Sequence, residues 1–180
     1  MLTIFAYITL VFFGIRFLVA LSNVLFSPVL KTQKLQGEPL ISVLIPARNE
    51  ERNIGNILND LQKQSYQNIE VIVFNDQSTD RTKKIIESFS QADNRFKATD
   101  SNGLPEGWLG KSNACFQLAK QATGNYFLFL DADVRVESGL IESALAQMQN
   151  HGLKLLSIFP KQEMKTIAEK ITVPVMNSIL

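Results

Sequence analysis

The chain has 180 residues, 46% of them hydrophobic and 19% charged, with a formal net charge of +1. That composition excludes a disordered chain and leaves room for one domain with a real core, while the balanced charge gives no footprint for nucleic acid as a partner. A single cysteine, Cys115, excludes an internal disulfide, and with one histidine, His151, it argues against a zinc site.

The first segment, Leu2 to Phe26, carries one charge, Arg16, in a run of Leu, Ile, Phe and Val. As a helix it would be roughly 37 Å long, against a hydrocarbon core of about 30 Å. The reading is a transmembrane anchor over 1–27. A cleaved signal peptide fits less well, because the first fifteen residues hold no Lys or Arg. Lys31, Lys34 and Arg48 follow the helix, and the positive-inside rule puts the downstream part in the cytosol. Residues 28–39, with Pro28, Gly37 and Pro39, read as a linker.

Beyond the linker the pattern alternates. "LISVLIP" from Leu40 is a continuous apolar run, the mark of a buried parallel strand. Ile54, Ile57, Leu58 and Leu61 then repeat at helical spacing. "IEVIVFND" is a second buried strand, and "STDRTKKIIESFSQA" a second helix with Ser78 or Thr79 as its cap. "RFKATD" is a third strand and "SNACFQLAKQA" a helix; "NYFLFLDAD" is a strand, placed at the sheet centre by its apolar run. "SGLIESALAQMQN" is a helix and "LKLLSIF", from Leu153, a strand. Residues 161–180 turn apolar again and suit either a membrane-surface segment or one more core helix. The fold class is therefore α/β, a mostly parallel sheet with helices on both faces, preceded by the membrane helix.

In such sheets ligands bind beyond the carboxyl ends of the strands. That rim collects Arg48, Asn49, Glu50, Asp76, Asp80, Asp131 and Asp133. Aspartates gathered there would repel one another unless something positive joined them, and carboxylate oxygens suit Mg²⁺ or Mn²⁺. Asp131 and Asp133 would share one side of an extended segment, with Ala132 pointing away. An EF-hand loop is excluded, since Arg135 stands at the third ligand position. "GWLGKS" is no Walker loop, because Pro105 stands where that pattern needs glycine; a G-x-G-x-x-G fingerprint is also missing.

Taken together, "VLIPARNEERNI", "VIVFNDQSTDRT", "GWLGKSNAC" and "NYFLFLDADV" resemble, in that order, the nucleotide-sugar-binding half of a family 2 glycosyltransferase of GT-A fold. The likeness spans Leu40 to about Phe159, and points to the membrane-anchored branch with carotenoid- and hopanoid-type enzymes. It implies that residues 40–160 bind a nucleotide-sugar donor, a UDP-sugar favoured over GDP-mannose, and that the acceptor is a lipid or polyisoprenoid at the membrane. It also implies roles for single residues. Pro46, Ala47, Arg48, Asn49, Glu50 and Asp76 would hold the base and ribose; Lys111 would meet the diphosphate. Asp131 would face the ribose or donor sugar, and Asp133, with Asp131, a divalent metal. Asp80 would cap or orient its loop, and Trp108 would cover the base or sugar or serve as a structural aromatic.

Members of this kind invert configuration with a carboxylate base in a downstream "ED" pair. Glu163 and Glu169 form no such pair, and "Q-x-x-R-W" is missing. The expectation is an N-terminal part of a longer enzyme, with its base beyond Leu180. The alternative is a degenerate member that binds nucleotide without transferring sugar. A sugar nucleotidyltransferase is disfavoured, because "PARNEE" has no glycine.

Overall fold

The computed structural model describes residues 1–26, 30, 35–162, 164, 166–169 and 172. Helix α1 spans Leu2–Phe26, as the apolar run predicts. Its Thr9 hydroxyl donates to the Phe5 carbonyl at 2.9 Å, which satisfies a polar group inside the helix. The segment Thr3–Asn23 is long and apolar enough to cross a membrane, and none of it is buried against the rest of the chain. Most of 161–180, including Glu163, lies outside the described residues, as do several positions of the 28–39 linker.

Four strands form one parallel sheet in the order β3-β2-β1-β4. They are β1 Ile41–Ala47, β2 Ile69–Asn75, β3 Phe96–Asp100 and β4 Tyr126–Phe129. The helices between and after them are α2 Ile54–Gln62, α3 Thr82–Ala92, α4 Gly110–Gln121 and α5 Leu140–Asn150. Side chains alternate along each strand, so every central strand feeds two cores. Ile41, Val43 and Ile45 of β1 pack with Val71 and Val73 of β2 against α2, α3 and α5. Leu44, Ile72 and Phe74 point the other way, onto Ala114 and Leu118 of α4. The helical repeat in α2 is used as its spacing predicts: Ile54, Ile57, Leu58 and Leu61 are all buried.

Three expectations need correction. β4 does not sit at the sheet centre: it pairs with β1 alone among the described residues, and Phe127 and Phe129 remain 48% and 46% exposed. Its apolar run marks one covered face rather than two. "LKLLSIF" forms neither strand nor helix, and Leu155 is 85% exposed. A strand needs a neighbour for its ladder, and this segment has none among the described residues. Finally, neither Ser78 nor Thr79 caps α3; Asp80 Oδ1 accepts the Thr82 amide at 2.9 Å instead.

One polar knot lies within this apolar frame. Glu70 of β2 is 5% exposed. Its Oε1 accepts from the Ser42 hydroxyl at 2.6 Å and from the Thr123 amide and hydroxyl at 2.7 and 2.8 Å. Its Oε2 accepts from Lys97 Nζ at 2.7 Å. Burial alone would raise this carboxyl, but the donors from Lys97, Ser42 and Thr123 outweigh it and hold the group at about 2. The knot ties the start of β4 to β1 and β2, and Gly124 completes it: its amide donates to Ser42 Oγ at 2.8 Å.

Two outcomes follow from this knot. A Cβ on Gly124 would lie 2.6 Å from the Ser42 amide nitrogen and 2.8 Å from the Leu40 carbonyl oxygen. Gly124→Ala is expected to cost about 1–3 kcal/mol, read as a lower urea midpoint of the detergent-solubilised chain; an unchanged midpoint would contradict this packing. Because the Glu70 carboxyl is depressed in the folded chain, its contribution is complete above its ordinary value of 4.5 and is lost as pH falls toward 2. That contribution is about 3 kcal/mol. Urea titrations along this acid limb should show the loss, and Glu70→Gln should flatten it.

Candidate donor-binding cleft

Strand order reverses at β1. β2 and β3 extend to one side, and the chain then crosses to place β4 on the other. Loops leaving β1 and β4 therefore diverge, and the crevice between them is the expected ligand site of an open parallel sheet. A cleft of about 360 Å³ lies there. It is lined by Pro46 and Ala47 at the end of β1, Arg48 and Glu50 after it, Asp76 after β2, Gly110, Lys111 and Ala114 of α4, and Asp131, Ala132 and Asp133 after β4. Of the nine residues expected to hold the nucleotide, diphosphate, sugar or metal, eight thus meet in one cavity.

Asn49 stands outside the lining and does a different job. It adopts φ 56°, in the left-handed region that asparagine tolerates better than most residues. Its amide donates to Ser78 Oγ at 3.0 Å, and its Oδ1 accepts the Thr79 amide at 2.9 Å. The Glu50 amide donates to Thr82 Oγ1 at 2.8 Å and the Glu51 amide to Asp80 Oδ2 at 3.1 Å. These bonds zip the loop after β1 to the loop after β2. Asp80 orients its loop, as expected, and its hydrogen bond to Thr82 holds its carboxyl below the ordinary range.

The acids in the cleft are arranged with cations. Arg48 Nη1 lies 3.5 Å from Asp76 Oδ2, and Lys111 Nζ lies 2.6 Å from Asp131 Oδ1. The Asp131 hydrogen bond raises the Lys111 ammonium above its ordinary value. The repulsion anticipated among the aspartates is therefore relieved by the protein's own cations. Asp131 and Asp133 do reach the same cavity, but not by strand alternation. β4 ends at Phe129, and Ala132–Asp133 form a turn. Ala132, expected to point away, is 4% exposed and packs into the core while also bordering the cleft.

That turn is clamped at both ends. The Leu130 amide donates to the Leu44 carbonyl at 3.1 Å. Beyond the turn, Arg135 grips Asp60 of α2 through Nε at 2.6 Å and Nη2 at 2.8 Å, and the Val136 amide donates to the same carboxylate. The Arg135 hydrogen bond is the leading reason the Asp60 carboxyl lies below its ordinary value. Sequence reasoning used Arg135 only to exclude an EF-hand and missed this positioning role; a basic residue close behind D-x-D was the available signal.

Gly110 was missed too. α4 begins two residues earlier than the sequence pattern suggests, and its N-cap, Leu109, supplies no capping side chain. The first-turn amides thus open at the cleft, beside Lys111, where a phosphate would be favoured. Asp131 and Asp133 add oxygens suited to a hard cation. Among the described residues, no group of three or more acids, cysteines or histidines could hold a metal unaided. Two carboxylates still fit magnesium-type binding, in which substrate phosphates complete the shell. Trp108 does not line the cleft: its ring lies 5.1 Å from that of Phe116 on the outer side of α4.

Known proteins resemble this chain in sequence and fold. The chain is 38% identical over 134 residues to 4,4'-diaponeurosporenoate glycosyltransferase of Staphylococcus aureus, covering 73% of this chain and 34% of that protein. The chain thus spans about a third of the length of the curated relatives it matches. Among solved structures, S. aureus TarS in complex with UDP superposes with a TM-score of 0.53 at 30% identity, covering 62% of this chain and 32% of that one. The mannosyltransferase PcManGT of Pyrobaculum calidifontis, in complex with GDP-Man and Mn2+, superposes with a TM-score of 0.65 over 79% of this chain and 42% of that one. At 21% identity the latter shows a common fold. Residues 42–170 match the profile of glycosyl transferase family 2, and the chain belongs to that family.

Proposed function

We propose that the chain forms the donor-binding part of a membrane-anchored glycosyltransferase, which moves a sugar from a nucleoside diphosphate sugar to a lipid-like acceptor. The observation that carries this reading is the convergence of Arg48, Asp76, Lys111, Asp131 and Asp133 on one cleft at the switch point of a parallel sheet. The donor is a UDP-sugar, a choice supported by the likeness to TarS, which was solved with UDP. The lipid-like acceptor is supported by the 38% identity to a protein named for a carotenoid-acid acceptor. In this reading residues 1–27 anchor the chain, 28–39 link, and 40–160 bind donor on the cytosolic side.

The residues divide the donor between them. Asp76 is 14% exposed at its side chain and accepts the uracil N3–H. Arg48, 63% exposed and only 3.5 Å from Asp76, is free to turn its guanidinium toward phosphate. Lys111 and the open amides of α4 receive the diphosphate. The Lys111–Asp131 pair is exposed on both sides, and such pairs are worth only about 0–1 kcal/mol, so phosphate readily displaces Asp131. Asp131, once released, faces the hydroxyls of ribose or sugar. As the glycosidic bond breaks, negative charge gathers on the leaving diphosphate, and Lys111 stabilises it. A bound Mg²⁺ or Mn²⁺ at Asp133 and Asp131 would supply further neutralisation of that leaving group.

Calorimetric titration of the full chain in detergent tests this division. Lys111→Gln should weaken UDP binding about tenfold, roughly 1.4 kcal/mol, while leaving uridine unchanged, because only the diphosphate is lost as a partner. Asp76→Ala should weaken both. Equal losses for UDP and uridine in the Lys111 variant would contradict the assignment. Chelation with EDTA should weaken UDP binding by the parent chain, and Asp133→Ala should abolish that sensitivity; a parent indifferent to EDTA would remove the metal from the account.

A further inference from the structure

One feature outside the cleft is unexplained by donor binding. Between β3 and α4 the chain protrudes, and every residue from Leu104 to Leu109 is exposed. Gly103 at φ 110° and Gly107 at φ 79° take backbone conformations that L side chains rarely adopt, and these shape the protrusion. Its side chains are apolar where a solvated loop would be polar: Leu104 is 53% exposed, Leu109 76% and Trp108 40%. Phe116, on the outer face of α4, is 43% exposed and lies under Trp108, with Lys120 Nζ 4.5 Å from its ring. Single exposed hydrophobics need no explanation, but adjoining ones signal a contact surface.

We propose that Leu104, Trp108, Leu109 and Phe116 rest in the interfacial layer of a lipid bilayer. This rests on the reading of α1 as a membrane anchor. Covalent attachment to α1 holds the surface near lipid at all times. From Phe26 to Leu35 the chain can reach at most about 32 Å, more than the roughly 23 Å height of β1, so the strand-end rim can turn to the bilayer. These side chains are exposed, and a fluid interface accommodates exposed apolar groups without a shaped partner. Trp is a favoured residue at that depth, and a lysine beside it can snorkel to the headgroups. Glu106 and Lys120 offset each other in charge, so the attraction is apolar and aromatic, and zwitterionic lipid suffices. Since Gly110 and Lys111 line the cleft, seating this loop brings the cleft mouth to within a helical turn of the interface. An acceptor dissolved in the bilayer would then meet the donor without leaving the lipid.

Trp108 is the only tryptophan in the chain, so its emission reports on this loop alone. The full chain would be reconstituted into phosphatidylcholine vesicles, with and without brominated acyl chains, and floated on a density gradient. The expected result is flotation, with Trp108 emission reduced by about half or more in brominated vesicles. Leu109→Glu, a change at an exposed site, should still float but lose most of that quenching. Flotation with unquenched emission would overturn the proposal and leave the anchor standing; contact with a protein or a second copy would give that result. Quenching that survives Leu109→Glu would also overturn it. A chain that fails to float would overturn anchor and proposal together.

Discussion

A parallel sheet imposes one constraint from which the rest of this molecule follows. Parallel neighbours cannot be joined by a tight turn, so each connection crosses a face of the sheet with a helix. When the strand order reverses, successive crossovers take opposite faces. Here α2 and α3 cover one face and α4 the other, and the reversal falls at β1. No helix can fill the gap above β1 and β4, so that gap becomes the cleft. The residues around it arrive there because they end or follow a strand or lie in the first turns of α4. The chemistry of the site is thus a consequence of where strands end.

Charge then decides what the cleft can hold. Asp76 and Asp131 are each matched by a cation, Arg48 and Lys111, at 3.5 and 2.6 Å. These contacts keep the acids together without a ligand, and they are exposed enough to exchange for stronger partners. A diphosphate competes for both cations, and its arrival frees the carboxylates for sugar hydroxyls or a hard cation. The loops that carry these groups do not need to fold on binding. Asn49, Ser78, Thr79 and Thr82 already fasten one loop to the other, and Asp60 with Arg135 fixes the third. Preorganisation of this kind lowers the ordering cost of binding.

Much of this was legible in the sequence, for reasons specific to each element. β1 and β2 read plainly because both of their faces are buried, which leaves an unbroken apolar run. α2 was legible because its buried stripe, Ile54, Ile57, Leu58 and Leu61, keeps helical spacing. The rim residues could be listed because strand ends are where such runs stop. What failed had tertiary causes. The run in β4 looks like that of a central strand, yet half of its side chains face outward; burial depends on neighbours that a local pattern does not encode. "LKLLSIF" has the composition of a strand but no ladder partner among the described residues. Ser78 has the chemistry of a helix cap, and the loop after β1 claimed it first. Arg135 owes its importance to a distant partner, Asp60, and Gly110 to the uncapped start of α4, so their local sequence carried little sign of it.

The central claim is that a nucleoside diphosphate sugar occupies the cleft above β1 and β4. Photolabelling of the full chain with an azido-uridine diphosphate sugar, followed by peptide mapping, addresses it most directly. The account predicts label confined to the segments around Arg48, Asp76 and Lys111 and competed away by unlabelled UDP. Label that UDP fails to displace, or that lands on segments remote from these three, would contradict it.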